Sequence, residues 1–320
     1  MSLNTRNKRR RELREERVLQ DGFIFQLPDE TLLKILKYFT TAELITAAGI
    51  CHWFRTIAYD SDFWTTIDLT TKPYSNREVM KFLHRFPRQC TEVLKLSGGS
   101  AHINSGKPPP FTEQLNSLIH TSYPNLRYLH LSRYDFHTNP RVIDNITDLP
   151  ANLQGLYLTK CEMLATDMSG SSAFLQSANK PASLAFRQLE ILSFENSACL
   201  SAKSISYLPT LCPNLVELNL NGCFRIVSTP MLIDTLLFYS KTLRRLYLGG
   251  TRINDDTIHS LCRKLKRLNI LDIKDCRHVS INIVDNLLTL KQLTTLIADE
   301  NIRILYEQGM TGGDEEEKQD

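Results

Sequence analysis

"LVELNLNGC", residues 215–223, places leucines first, fourth and sixth and a cysteine ninth. In an extended chain alternate side chains face opposite ways. Leu218 and Leu220 then point to one side, and Glu217 and Asn219 to the other. The same spacing returns along the chain. "LRYLHLSRY" starts at Leu126, "LQGLYLTKC" at Leu153, "LEILSFENS" at Leu189, "LRRLYLGGT" at Leu243, "LNILDIKDC" at Leu268 and "LTTLIADEN" at Leu293. A degenerate copy, "TEVLKLSGG", starts at Thr91. Successive starts lie 35, 27, 36, 26, 28, 25 and 25 residues apart.

A period of 20–29 residues with this consensus is the leucine-rich repeat. One copy cannot bury its own apolar face, whereas a stack buries a continuous one. The segments before the strands have helical spacing, as in "TPMLIDTLLFYSKTL" and "DDTIHSLCRKL". The expectation is an α/β solenoid, curved, with parallel strands on the concave side, over residues 90–306. The ninth residue sits where strand turns into loop, so Cys161, Cys223 and Cys276 read as turn or core residues and not as ligands. Two repeats are long. Residues 98–111 and 165–186 are rich in Gly, Pro and Ser and read as loops, either binding insertions or padding.

The remaining composition excludes more than it assigns. The chain has 320 residues, 23% of them charged, and a formal charge of +3. No global field calls for nucleic acid or an anionic membrane. No apolar run reaches the length of a membrane span, and the start lacks the apolar stretch of a signal peptide. Eight cysteines without a C-x-x-C pair predict reduced thiols and a cytoplasmic or nuclear protein. Residues 1–22 read as a basic disordered arm, with Lys8-Arg9-Arg10-Arg11 open to a second reading as a nuclear import signal. Residues 307–320 read as an acidic disordered tail. No catalytic or metal site emerges. "SAHINSGKP" ends in Gly106-Lys107 but has Ala101 and Pro108 where a phosphate loop needs Gly and Ser or Thr. The eight histidines show no ligand spacing. The chain is expected to be no enzyme and to need no cofactor.

"QLPDETLLKILKYF", residues 26–39, carries more apolar surface than one core needs. Leu32, Ile35, Leu36 and Phe39 form one stripe, with Leu33 and Tyr38 outside it. Asp29 reads as an N-cap, and Thr40-x-x-Glu43 as a capping box opening a second helix. A third helix carries Ile50, Cys51, Trp53, Phe54, Ile57 and Ala58, and Phe63 and Trp64 follow. A unit of this size cannot cover so much apolar surface alone, so a partner is expected to cover it.

The stretch "LPDETLLKILKYFTTAELITAAGICHWFRTIAYDSDFW" resembles an F-box, assigned here to residues 23–66, with 67–89 as a linker or capping segment. The resemblance rests on Leu27-Pro28, Glu30, Leu32-Leu33, Ile35, Leu44, Ile50-Cys51, Ile57 and Trp64. The family's tryptophan three places after the cysteine is Phe54 here, with Trp53 one place earlier. An F-box followed by these repeats is similar to the F-box/leucine-rich-repeat (F-box/LRR) proteins. That resemblance implies a substrate-recognition adaptor of an SCF (Skp1–cullin–F-box) ubiquitin ligase, in which Skp1 links the chain to a cullin and a RING protein. It places Leu27, Pro28, Leu32, Ile35, Leu44, Phe54 and Trp64 on the Skp1 face or in its immediate support. Alternation places Tyr128, His130, Tyr157, Glu195, Glu217, Asn219, Arg245, Tyr247, Asp272 and Lys274 on the surface that meets a protein substrate. The other reading is a protein-interaction scaffold without a ubiquitin role, which would not need the greasy first helix.

Overall fold

A computed structural model describes residues 24, 27–72, 74–86, 89–98, 109–136, 149–150, 152–162, 165–166, 171–172, 184–197 and 200–316. The basic arm with Lys8-Arg11, the Gly106-Lys107 stretch, Cys199 and most of the two long loops lie outside these residues.

Three short helices come first: α1 (Asp29–Leu36), α2 (Thr41–Ala47) and α3 (His52–Ala58), then a 3-10 turn, Ser61–Phe63. α1 stops at Leu36, short of Phe39. Its N-cap is Pro28 and not Asp29, which is the first helical residue and whose carboxylate accepts the Trp53 indole N–H at 3.0 Å. The Thr40 hydroxyl accepts the Glu43 amide, and Glu43 accepts the Thr40 amide, so the expected box is formed.

The strands follow: β1 (Thr66–Leu69), β2 (Val93–Ser97), β3 (Tyr128–Ser132), β4 (Gly155–Thr159), a two-residue hairpin of β5 (Ala165–Thr166) and β6 (Ser171–Ser172), then β7 (Ile191–Ser193), β8 (Glu217–Asn219), β9 (Arg245–Tyr247), β10 (Ile270–Asp272) and β11 (Thr295–Ile297). Apart from the hairpin they form one parallel sheet in the order β1-β2-β3-β4-β7-β8-β9-β10-β11. Sequence order equals spatial order, as a solenoid requires. The register puts Ile67, Leu94, Leu129, Leu156, Leu192, Leu218, Leu246, Leu271 and Leu296 in one row. All but Leu296, on the edge strand β11, are buried. Pro230–Phe238 and Asp255–Lys264 are helical, as their spacing predicts.

β1 is a strand that the repeat consensus did not single out. Its signature is Trp64-x-x-Ile67-x-Leu69, with tryptophan in the first leucine's place. The segment after it adds a helix, Asn76–Leu83. At the other end, helix Glu300–Glu316 runs into the residues expected as a disordered tail. Ile302 is buried there, Tyr306 packs on the core, and a β-carbon on Gly309 would lie 2.6 Å from Leu288. The last repeat needs a cover, and this helix supplies it.

Four of the turns that follow the strands share one internal bond. Cys161 Sγ donates to the Leu131 carbonyl (3.3 Å), Ser197 Oγ to Leu158 (2.9 Å), Cys223 Sγ to Phe194 (3.1 Å) and Cys276 Sγ to Leu248 (3.2 Å). Each donor ties its turn to the preceding repeat. Burial pushes the Cys161 and Cys223 thiols up to about 12, so they stay protonated and unreactive. The residue just before the ninth position takes a left-handed backbone in six turns: Arg133, Lys160, Asn196, Gly222, Gly250 and Asp275. Tyr123 and Tyr239 end their helices alike, each hydroxyl reaching back to a carbonyl of the preceding repeat, Leu83 (3.0 Å) and Cys212 (3.0 Å).

Candidate functional site

Two surfaces remain after the core is formed. The first lies on the N-terminal helices. α1 turns Leu32 and Leu36 inward, and Leu32 is 0% exposed. Ile35 and Phe39 fall on the solvent side, so the apolar stripe read from the sequence is split down its length. Tyr38 is 90% exposed and Ile50 52%. Pro28 is exposed and Leu27 half-buried. Of the seven residues assigned to the Skp1 face or its support, Leu32, Leu44, Phe54 and Trp64 are buried in the chain's own core. Leu27, Pro28 and Ile35 are accessible. Tyr38, Phe39 and Ile50 belong to the same exposed apolar set, although the site assignment passed them over. The signal was present in the excess width of the stripe. What was lacking was the position of α3, which decides which edge of α1 is covered.

The family's displaced tryptophan has a physical counterpart. Phe54 occupies the core, and Trp53 stands beside it edge-on, 5.4 Å between ring centres. Trp53 bonds to Asp29 and so ties α3 to the start of α1.

The second surface is the open face of the sheet. Tyr128, Gly155, Ile191, Glu217 and Arg245 share one outward row. Lys95, His130, Tyr157, Ser193, Asn219, Tyr247 and Asp272 share the next. Glu195 and Lys274 lie past the ends of their strands, at the turns. The His130 and Tyr157 rings stack at 3.9 Å with 3° between planes. Tyr128 donates to Gln154 Oε1 at 3.4 Å, and the Arg127 guanidinium sits 5.8 Å from its ring centre. Arg245 pairs with Glu217.

Asp272, expected to meet a substrate, is buried. Its carboxylate accepts Asn221 Nδ2 at 2.7 Å and the Lys274 amide at 3.0 Å. Asn221 Oδ1 in turn accepts the Gly249 amide at 2.7 Å. Alternation placed Asp272 on the correct face, but its polar atoms hold the turns together. Asn219 does similar work, accepting the Asn221 amide at 2.9 Å.

His130 is held neutral, its pKa lowered to about 4, first by burial and then by the Lys95 charge. The free side chain titrates near 6.5. The unfolded chain therefore takes up this proton before the folded one, and stability falls as pH drops from about 6.5 towards 4. His130→Gln is expected to remove that component. Urea midpoints of both proteins across this window measure it, and identical pH dependence would show His130 to be uninvolved.

Among the described residues no cluster of His, Cys, Asp or Glu is placed to hold a metal, and no helix is long and apolar enough to cross a membrane. Comparison with known proteins bears on both surfaces. An F-box-like family model matches residues 24–70. F-box/LRR-repeat protein 12 of Mus musculus is 27% identical over 244 residues, which cover 76% of this chain and 69% of that protein. Among solved structures, a chain in the octameric complex of Latrophilin 3, Unc5D and FLRT2 is similar with a TM-score of 0.35 at 16% identity, covering 68% of this chain. This chain spans 64% of that chain, less than two thirds of its length. A chain of the Rad7–Elc1 complex of yeast has a TM-score of 0.33 at 14% identity, covering 88% of this chain and 95% of that one.

Proposed function

We propose that this F-box/LRR protein is a substrate-recognition adaptor of an SCF ubiquitin ligase. The observation that carries the reading is the apolar face of the N-terminal helices. Ile35, Tyr38, Phe39 and Ile50 are large, apolar or aromatic, and exposed on a unit whose core is already filled. Such a surface implies a partner. Skp1 is the partner that the F-box-like segment suggests. Leu27, Pro28 and Ile35 then make contact, while Leu32, Leu44, Phe54 and Trp64 hold the helices that present them.

In this reading the sheet's open face holds the protein substrate, and Skp1 connects the chain to a cullin and a RING protein. The contribution to catalysis is proximity, which raises the effective concentration of substrate lysines near a ubiquitin-loaded E2. No side chain of this chain performs chemistry, and no cofactor is needed. The place of action is the cytoplasm or nucleus.

The test is co-purification with Skp1, wild type against Ile35→Glu plus Phe39→Glu. Leu32 is left intact because a charge at a fully buried site would unfold the helices. Both substitutions are at exposed sites, where the stability effect is usually within about 0.5 kcal/mol. The variant should keep the wild-type circular dichroism and lose Skp1 by at least about tenfold. Equal capture by wild type and variant would remove this face from the interaction. A folded wild type that captures no Skp1 would leave the scaffold reading in its place.

A further inference from the structure

A hollow of about 570 Å³ lies at the joint between the N-terminal helices and the solenoid. Small-molecule sites run from roughly 300 to 1,000 Å³. α2 brings Ile45 to it, and α3 brings Arg55 and, just past its end, Tyr59. The helix Asn76–Leu83 brings Phe82 and, just past its end, Arg85. Trp64 and Phe86, both buried, form the floor.

The floor is rigid before any ligand arrives. Trp64 stacks on Phe86 at 4.1 Å and on Tyr59 at 6.0 Å, and Phe86 stacks on Phe82 at 6.1 Å. These rings hold one another across three elements, and a preformed site loses little to ordering when it binds.

The rim is positively charged without compensation. Arg55 Nε donates to the Ala48 carbonyl at 3.0 Å, which fixes the guanidinium and leaves its terminal nitrogens open. Arg85 has no ion pair and no side-chain hydrogen bond among the described residues. No carboxylate lines the hollow. The acidic residues close by in sequence are engaged elsewhere. Glu43 and Glu78 close the capping boxes of their own helices, and Asp60 accepts the Asp62 amide at 3.0 Å. Asp62 itself lines a different hollow. A second basic hollow, beside Arg252 and Arg277, also contains Asp275 and Asp299, so its charge is balanced from within.

Two arginines above an apolar, aromatic floor select for two features in one molecule. The planar guanidinium matches a carboxylate with paired hydrogen bonds. The body of the ligand must be apolar to gain from the rings beneath. An inorganic ion would leave the rings unused, and a neutral molecule would gain nothing from the charge. We propose that this hollow binds a small organic acid, its carboxylate held by Arg55 and Arg85 and its aliphatic or aromatic body against Ile45, Tyr59 and Phe82. The bound acid joins the F-box-like helices to the first repeat. It requires neither Skp1 nor a protein substrate.

The test uses the full-length chain and three acids, naphthoate, phenylbutyrate and octanoate, each paired with its neutral primary amide. Affinities are measured by calorimetry, and the site is located by the tryptophan indole N–H resonances of ¹⁵N-labelled protein. The chain has two tryptophans, and Trp53→Phe assigns them. At least one acid should bind at least about tenfold tighter than its amide, shift the Trp64 resonance and leave that of Trp53 in place. At saturation it should raise the melting temperature. Arg55→Gln plus Arg85→Gln should bring the acid to the level of its amide, with the melting temperature of the free protein preserved. Arg85→Gln alone, which removes no bond within the chain, should weaken the acid and not the amide. Acids no tighter than their amides, affinity indifferent to Arg85→Gln, a shift of Trp53 in place of Trp64, or no binding by any of the three acids would each overturn the proposal.

Discussion

Trp64→Ala is expected to unfold the N-terminal end of this protein at temperatures where the wild type is intact. Trp64 is fully buried. Its ring stacks on Phe86, 4.1 Å between centres, with Tyr59 on its other neighbour side at 6.0 Å. Its indole donates to the Ala58 carbonyl at 2.7 Å, and its own carbonyl accepts the Thr91 hydroxyl at 2.8 Å. The residue is therefore at once the end of the helical unit and the first apolar residue of the solenoid. Truncating a buried tryptophan costs about 3–5 kcal/mol, a large part of the roughly 5–15 kcal/mol that holds a domain folded. Each repeat leans only on its neighbours, so the loss concentrates at one end. The melting curve followed by circular dichroism should gain an early transition, and on the adaptor reading Skp1 capture should fail above it. Trp64→Phe should lose less, since it keeps part of the stack. A single transition at the wild-type temperature would show that the two units are not joined through this ring.

Leu218→Asp is expected to be more damaging at neutral pH, and its effect should depend on pH in a defined direction. Leu218 is fully buried between Leu192 and Leu246 in the central row. The leucine packing lost is about 2–5 kcal/mol. The new carboxyl has no partner there and must stay protonated. Holding it neutral at pH 7 against an ordinary pKa near 3.9 costs about 4 kcal/mol more. The folded-state pKa is thus raised, and the folded state keeps a proton that the unfolded chain has released. Stability is greatest below about pH 4 and falls as pH rises. Leu218→Asn has the same size without the titration. The difference between their urea midpoints should widen steadily with pH, and a constant difference would mean that the row is wetter than its burial implies.

Much of this architecture can be read from spacing alone. The inward leucines of β3, β4, β7, β8, β9 and β10, the turn role of Cys161, Cys223 and Cys276, and the helices before the strands follow from a period that neighbouring copies reinforce. β1 escaped because Trp64 stands in for its first leucine. The left-handed turns escaped because Arg133, Lys160 and Asp275 occupy sites where glycine would have signalled them. The closing helix escaped because its buried side, Ile302 and Tyr306, is thin and its end acidic.

The candidate surfaces were legible in part. Alternation decides which way a strand residue points, so Tyr128, His130, Tyr157, Arg245 and Tyr247 could be placed from the sequence by itself. It cannot say whether a polar atom that points outward is already engaged, and Asp272 is. For α1 the sequence determined that too many residues were apolar for one core. Only the tertiary structure decided that Leu32 and Leu36 face inward while Ile35, Tyr38 and Phe39 face out. The reason is physical: a repeat carries its neighbours' contacts within its own period, whereas a lone helix takes its buried side from wherever α3 happens to pack.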